Sequence, residues 1–204
     1  MESILEIKSQ IRDIQLEELT GSIKLNFDVS KWFNKKFQLW FPNRKLIKYL
    51  TKNGAVLTGS RALKCYELNG QDLLKRSYDE SDWDFAVTKQ MMYKISDECG
   101  IPYNLVDKVI SIKKQKYWRH PDYQDAYRVG AIDVHLIIVD ELPPFVESDG
   151  VRITPFTFTL NEKVKLLDEI VTNNKYSSSK RLQSEADKHQ NDLIQIILKY
   201  NLNS

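Results

Sequence analysis

Apolar residues recur at three- and four-residue steps through Ile4, Ile7, Ile11 and Ile14, with Leu19 extending the stripe. Lys8, Arg12, Glu17 and Glu18 fall off it. That spacing predicts an amphipathic helix. Two heptads are fewer than a coiled coil needs, so the stripe is expected to dock on its own domain, with a weak homodimer seam as the alternative. After Thr20-Gly21 the period changes to two. Ile23, Leu25, Phe27 and Val29 alternate with Lys24, Asn26 and Asp28, which predicts a strand with one buried face. The aromatic-rich stretch Trp32 to Phe41 fits neither period. Pro42 suits the first turn of a helix through Leu46, Ile47 and Leu50, and Gly54 suits its end.

A strand–turn–helix unit follows. Ala55-Val56-Leu57-Thr58 reads as a short apolar strand, Gly59-Ser60 as a tight turn, and Arg61 to Leu68 as a helix. A polar stretch from Asn69 to Ser81 leads to a strand over Asp82-Trp83-Asp84-Phe85-Ala86-Val87, then a helix over 90–99. A nine-residue strand is predicted from Ala131 to Val139, and another from the alternation in Val151 to Phe158. Pro143-Pro144 and Asp149-Gly150 mark loops. Thr159 and Glu162 have capping-box spacing before Val164, Leu167 and Ile170. After a polar linker over 173–179, a last helix over 180–200 carries Leu193, Ile194, Ile197 and Leu198. The order predicts a mixed α/β (α+β) protein: a mixed sheet flanked by helices, with a C-terminal helical subdomain. The expected segments are 1–54, packing on the core, then a core over 55–158, then the helical end over 159–204.

Composition narrows the class. The chain has 204 residues, 42% hydrophobic and 28% charged, which is ordinary globular usage. Thirty Lys and Arg against 28 Asp and Glu leave a net charge of +2, so a globally basic nucleic-acid coat is excluded. Cys65 and Cys99 are too few for a disulfide framework and read as reduced thiols. The opening MESILEIKSQ lacks the apolar core of a signal peptide, and no run approaches the roughly 18 apolar residues of a membrane span. A cytoplasmic protein without a membrane partner is expected.

The chemistry begins with carboxylates in strands. Asp82 and Asp84 lie two apart, so on an extended strand they share a face, while Trp83 and Phe85 point behind them. Asp133 interrupts an otherwise apolar strand, where an unpaired charge is costly. Three such anions on neighbouring strands repel one another unless a cation sits among them. All-oxygen donors of this kind favour Mg²⁺ or Mn²⁺. Gly59 permits close backbone approach to a ligand, and Ser60 adds a hydroxyl at a helix start, an arrangement suited to phosphate.

Leu57-Thr58-Gly59-Ser60, then Asp82-Trp83-Asp84-Phe85, then Ile132-Asp133-Val134 resemble the signature of the polymerase-beta-like nucleotidyltransferase superfamily. The resemblance covers residues 55–139 well and 159–198 loosely. It implies a nucleotidyltransferase-like sheet in which Asp82, Asp84 and Asp133 are catalytic and hold the metals. It further implies that Asp133 helps activate the attacking hydroxyl and that Gly59 and Ser60 bind the triphosphate. Lys188-His189-Gln190-Asn191-Asp192-Leu193 is similar to a lysine-rich helix ending in Asp-Leu, which implies Lys188 as a phosphate contact, with Lys163 or Lys165 as substitutes. The implied partners are a nucleoside triphosphate and an acceptor hydroxyl, with RNA, protein and a small molecule all left open by the motif. The chain departs from compact members in the 21 residues between Ser60 and Asp82, which place an insertion around Gly70-Gln71-Asp72.

Blander readings compete at each position. Asp82 and Asp84 would also suit a turn before a surface strand, Asp133 an ion pair with Arg128, and Gly59-Ser60 a plain turn and N-cap. His135 shares a face with Asp133, although a lone histidine is more often a hydrogen-bonded structural residue. His120 and His189 have no zinc-like spacing with the cysteines. Lys113-Lys114-Gln115-Lys116-Tyr117-Trp118-Arg119-His120 joins cations to aromatics, as polynucleotide contacts do, but such a run is usually a solvated face. At the level of function, the alternatives are a catalytically inactive binding module on the same fold, and a sugar transferase whose Asp-Trp-Asp holds a metal–nucleotide sugar.

Overall fold

The computed structural model describes residues 4–27, 41–75, 82–99, 109–112 and 134–201. The fold is mixed α+β and divides into two compact units that do not follow chain order. One unit comprises Met1–Asn26, Ala62–Lys75 and Pro155–Ser204, and the other Phe27–Arg61 and Arg76–Thr154. The segment 1–54 therefore contributes to both.

The second unit is built on a six-stranded mixed sheet. Its strands are β2 (Val56–Thr58), β5 (Trp83–Thr88), β6 (Val109–Ile112), β7 (Val134–Val139), β8 (Val146–Ser148) and β9 (Val151–Ile153), in the order β6-β7-β5-β2-β9-β8. β5 runs antiparallel to β2 and parallel to β7, while β2 and β9 are parallel. Helix α2 (Phe41–Lys52) packs against β9, and α4 (Lys89–Cys99) against β5 and β7. The alternation expected around Asp84 holds at the start of β5: Trp83 and Phe85 are fully buried, with near-parallel rings 6.2 Å apart, and Asp84 between them is half-buried, while Ala86 and Val87 are both buried. β7 alternates likewise, with Val134 and Leu136 in the core. Its expected N-terminal extension, 131–133, lies outside the described residues, as do Val29, most of the segment 32–41 and the basic-aromatic run 113–120.

The first unit holds α1 (Ile4–Thr20), a small antiparallel sheet of β1 (Ile23–Leu25), β3 (Tyr66–Leu68) and β4 (Gln71–Asp72), and the C-terminal helices α5 (Phe156–Val171) and α6 (Lys180–Asn201). Ile7, Ile11 and Ile14 are buried, and α1 packs against both α5 and α6. The isoleucine stripe is thus covered by its own chain.

Four expectations need correction. The helix expected over 61–68 is only the five-residue α3 (Gly59–Leu63), after which Tyr66–Leu68 pairs with β1 as a strand. Sheet pairing overrides the local helical pattern there, with Tyr66 and Leu68 buried on one face and Glu67 turned outward. The strand expected over 151–158 ends at Ile153, because Pro155 cannot donate to a ladder and its φ of −54° opens α5 instead. The capping box at Thr159 therefore falls inside a helix, where the Thr159 hydroxyl donates to the Pro155 carbonyl at 3.0 Å. On α6, Ile196 joins Leu193 and Ile197 in the core, and Leu198 is exposed rather than part of the stripe.

Residues 69–72, expected to belong to a polar insertion, form a tight hairpin with β3. Asn69 and Gly70 both have positive φ (51° and 76°), the requirement of a two-residue type I′ turn, and Asp149-Gly150 repeats it between β8 and β9. Among the described residues, no helix is long and apolar enough to cross a membrane.

Candidate active site

The Gly-Ser turn and the acidic strand meet through sheet register. Antiparallel pairing sets Val56 opposite Ala86, Leu57 opposite Phe85 and Thr58 opposite Asp84. Gly59, the next residue, consequently lies against the Asp84 side chain. Its φ is +69°, and a Cβ built on it would sit 3.2 Å from Asp84 Cγ and inside contact distance of Oδ2. Two constraints thus select glycine here, backbone conformation and the space taken by the carboxylate. Gly59→Ala is expected to cost about 1–2 kcal/mol, because a Cβ is strained in the left-handed region. Chemical denaturation would show this as a lower midpoint, and an unchanged midpoint would contradict the left-handed conformation described for Gly59.

On its other side, β5 is paired with β7 in a register that sets Trp83 opposite Val134 and Asp84 opposite His135. Paired residues on adjacent strands share a face. His135 Nδ1 lies 3.0 Å from Asp84 Oδ1, and both side chains are 25% exposed. A carboxylate oxygen accepts, so the ring form that makes this bond is one with a proton on Nδ1. The hydrogen-bonded histidine weighed from sequence is present, with a candidate metal ligand as its partner.

Sequence reasoning passed over Arg61. It is 3% exposed on α3, with its guanidinium carbon 4.2 Å from the centre of the Trp83 ring and Nε donating to the Asp82 carbonyl at 3.1 Å. The contact ties the residue just after Gly59-Ser60 to the start of β5, 21 positions later. An arginine set among Ala62, Leu63 and other core positions was the available signal, since buried guanidinium groups require partners.

The remaining predicted residues fall as follows. Asp82 is half-buried immediately before β5, and Ser60 is half-buried on α3. Because α3 has only five residues, anion binding at this turn would rest on individual N–H and hydroxyl donors more than on a helix dipole. Asp133 and Arg128 lie outside the described residues. Lys188 is exposed on α6, and Lys165 is exposed on α5. Lys163 is buried and donates to Asp192 Oδ2 at 2.5 Å and to His189 Nδ1 at 3.3 Å. That ammonium locks α5 to α6 and is committed away from phosphate. Cys65 is a buried core thiol.

Among the described residues, no group of three or more His, Cys, Asp or Glu side chains is placed to hold a metal ion. Two carboxylates of the expected three are described, and their chemistry fits a hard divalent cation. Asp84 has about four lone-pair sites, of which the His135 bond uses one. No protein-family model, curated protein or solved structure matches the chain.

Proposed function

We propose that this protein is a divalent-metal-dependent nucleotidyltransferase that moves a nucleoside monophosphate from a triphosphate to a hydroxyl acceptor. The observation that carries the reading is the β2–β5 register. It brings a glycine turn with donors for phosphate against a strand carboxylate, although Gly59 and Asp84 are distant in sequence. The parallel neighbour β7 adds support, since Asp133 directly precedes Val134, the residue paired with Trp83.

In this reading Gly59 and Ser60 donate to triphosphate oxygens and fix the α-phosphorus. Asp82, Asp84 and Asp133 supply the oxygen ligands for Mg²⁺ or Mn²⁺, which when bound would neutralise phosphate charge. Asp133 accepts the proton of the acceptor hydroxyl as its oxygen bonds to phosphorus, the bond to the β-phosphate oxygen breaks, and pyrophosphate leaves. An RNA or protein acceptor and a cytoplasmic setting belong to the same proposal.

Calorimetric titration with Mg²⁺ and each nucleoside triphosphate tests it, using wild type and the Asp82→Ala/Asp84→Ala variant. Metal-dependent binding by wild type alone is expected, followed by label transfer from α-labelled triphosphate to a lysate component. Binding without pyrophosphate release would favour a catalytically inactive module. Absence of metal-dependent nucleotide binding would overturn the proposal.

A further inference from the structure

We infer that His135 is a positioning residue for Asp84, fixing the orientation of its carboxylate for a divalent cation. The inference rests on the nucleotidyltransferase reading and assigns a residue which that reading leaves without a role. Asp84 is constrained at both oxygens. Oδ1 accepts from His135 Nδ1 at 3.0 Å, and Oδ2 faces the backbone of Gly59 where a side chain would otherwise be. Such a carboxylate has little freedom to rotate about its Cβ–Cγ bond. Its remaining lone pairs are held at a defined angle.

Orientation matters because an aspartate on a solvent-facing strand position otherwise samples several orientations, each binding event then ordering it anew. Hydrogen-bonded outer partners commonly supply this order in metal sites, and losing one typically weakens metal affinity about 10–100-fold. The pairing is built into the sheet, since β5–β7 register sets Asp84 opposite His135. In the sequence, Asp133 stands two residues before His135. The bond needs only the Nδ1 proton, which the neutral Nδ1–H tautomer and the charged ring both carry, so the role is independent of ring charge.

The test compares the full-length wild-type chain with His135→Leu, which lacks the donor, and His135→Asn, whose amide N–H approximates Nδ1–H. Binding of Mn²⁺ alone is measured by electron paramagnetic resonance of the unbound ion, with thermal unfolding alongside. About 10–100-fold weaker Mn²⁺ binding is expected for His135→Leu, with His135→Asn restored to within about threefold of wild type. Equal affinity in all three chains, or equal loss in both variants, overturns the assignment. Wild type that binds no Mn²⁺ overturns the nucleotidyltransferase reading itself, and the assignment with it. Ring ¹⁵N spectra of the wild-type chain give a measurement that no folding defect can confound. Nδ1 should be protonated, and its signal should shift with the same Mg²⁺ dependence that calorimetry reports. A proton on Nε2 alone, or no shift at saturating Mg²⁺, would refute the role.

Discussion

If the proposed function is right, Asp84→Asn is expected to lower nucleotide transfer by about three orders of magnitude while leaving the fold intact. The substitution keeps volume, and the amide oxygen still accepts the Nδ1–H bond from His135. It removes the negative charge that would hold a divalent cation. Metal-assisted charge stabilisation at a transferring phosphoryl group is worth several kcal/mol, and each 1.4 kcal/mol is about tenfold in rate. Asp84 is a quarter exposed and asparagine keeps its volume and its acceptor oxygen, so thermal unfolding should move little. Initial rates of pyrophosphate release, measured beside thermal melts, check both halves. A variant that retains wild-type rates would remove Asp84 from catalysis and leave the acidic strand a structural feature.

The largest loss of stability is expected far from that strand in sequence. Asp192→Ala should destabilise the unit containing α5 and α6 by about 3–5 kcal/mol. Asp192 is fully buried, and the Lys163 side chain is 5% exposed with its ammonium 2.5 Å from Asp192 Oδ2. Removing the carboxylate leaves a charge in a site made for a pair. His189 is no substitute, because its Nδ1 accepts from the ammonium without offsetting its charge. The converse also follows. Replacing both members, as in Lys163→Met/Asp192→Leu, removes the desolvation penalty together with the attraction and should recover most of the loss. Denaturant unfolding of Lys163→Met, Asp192→Leu and the double variant completes the cycle. A single-variant effect below about 1 kcal/mol would mean that water reaches the pair. The result bears on function as well, since the Asp-Leu end of the motif on α6 acts here as a helix lock: Asp192 holds Lys163 and Leu193 is buried beside it.

Much of the architecture is legible in one dimension where a segment's periodicity and its burial agree. Ile7, Ile11 and Ile14 form one face of α1, and each is buried. Trp83 and Phe85 alternate with Asp84 as a half-polar strand requires. The errors share a cause. Residues 66–68 satisfy a helical pattern in isolation, yet their backbone groups pair with β1, some forty positions earlier in the chain. Nothing local encodes that partner. Strand β6 escaped notice for a similar reason, its four residues being defined by antiparallel register with β7.

The candidate site divides along the same line. Sequence alone determined which residue types could do chemistry: a glycine-serine turn between apolar segments, and carboxylates at strand positions where an unpaired charge would be costly. Tertiary structure decided which of them meet. Register set Asp84 against Gly59 on one side and His135 on the other, and it drew the side chain of Arg61 onto Trp83. Side-chain neighbours across a sheet depend on strand order and on a register that shifts every contact when it slips by one residue. That information resides in pairing between distant segments, and no periodicity within either segment contains it.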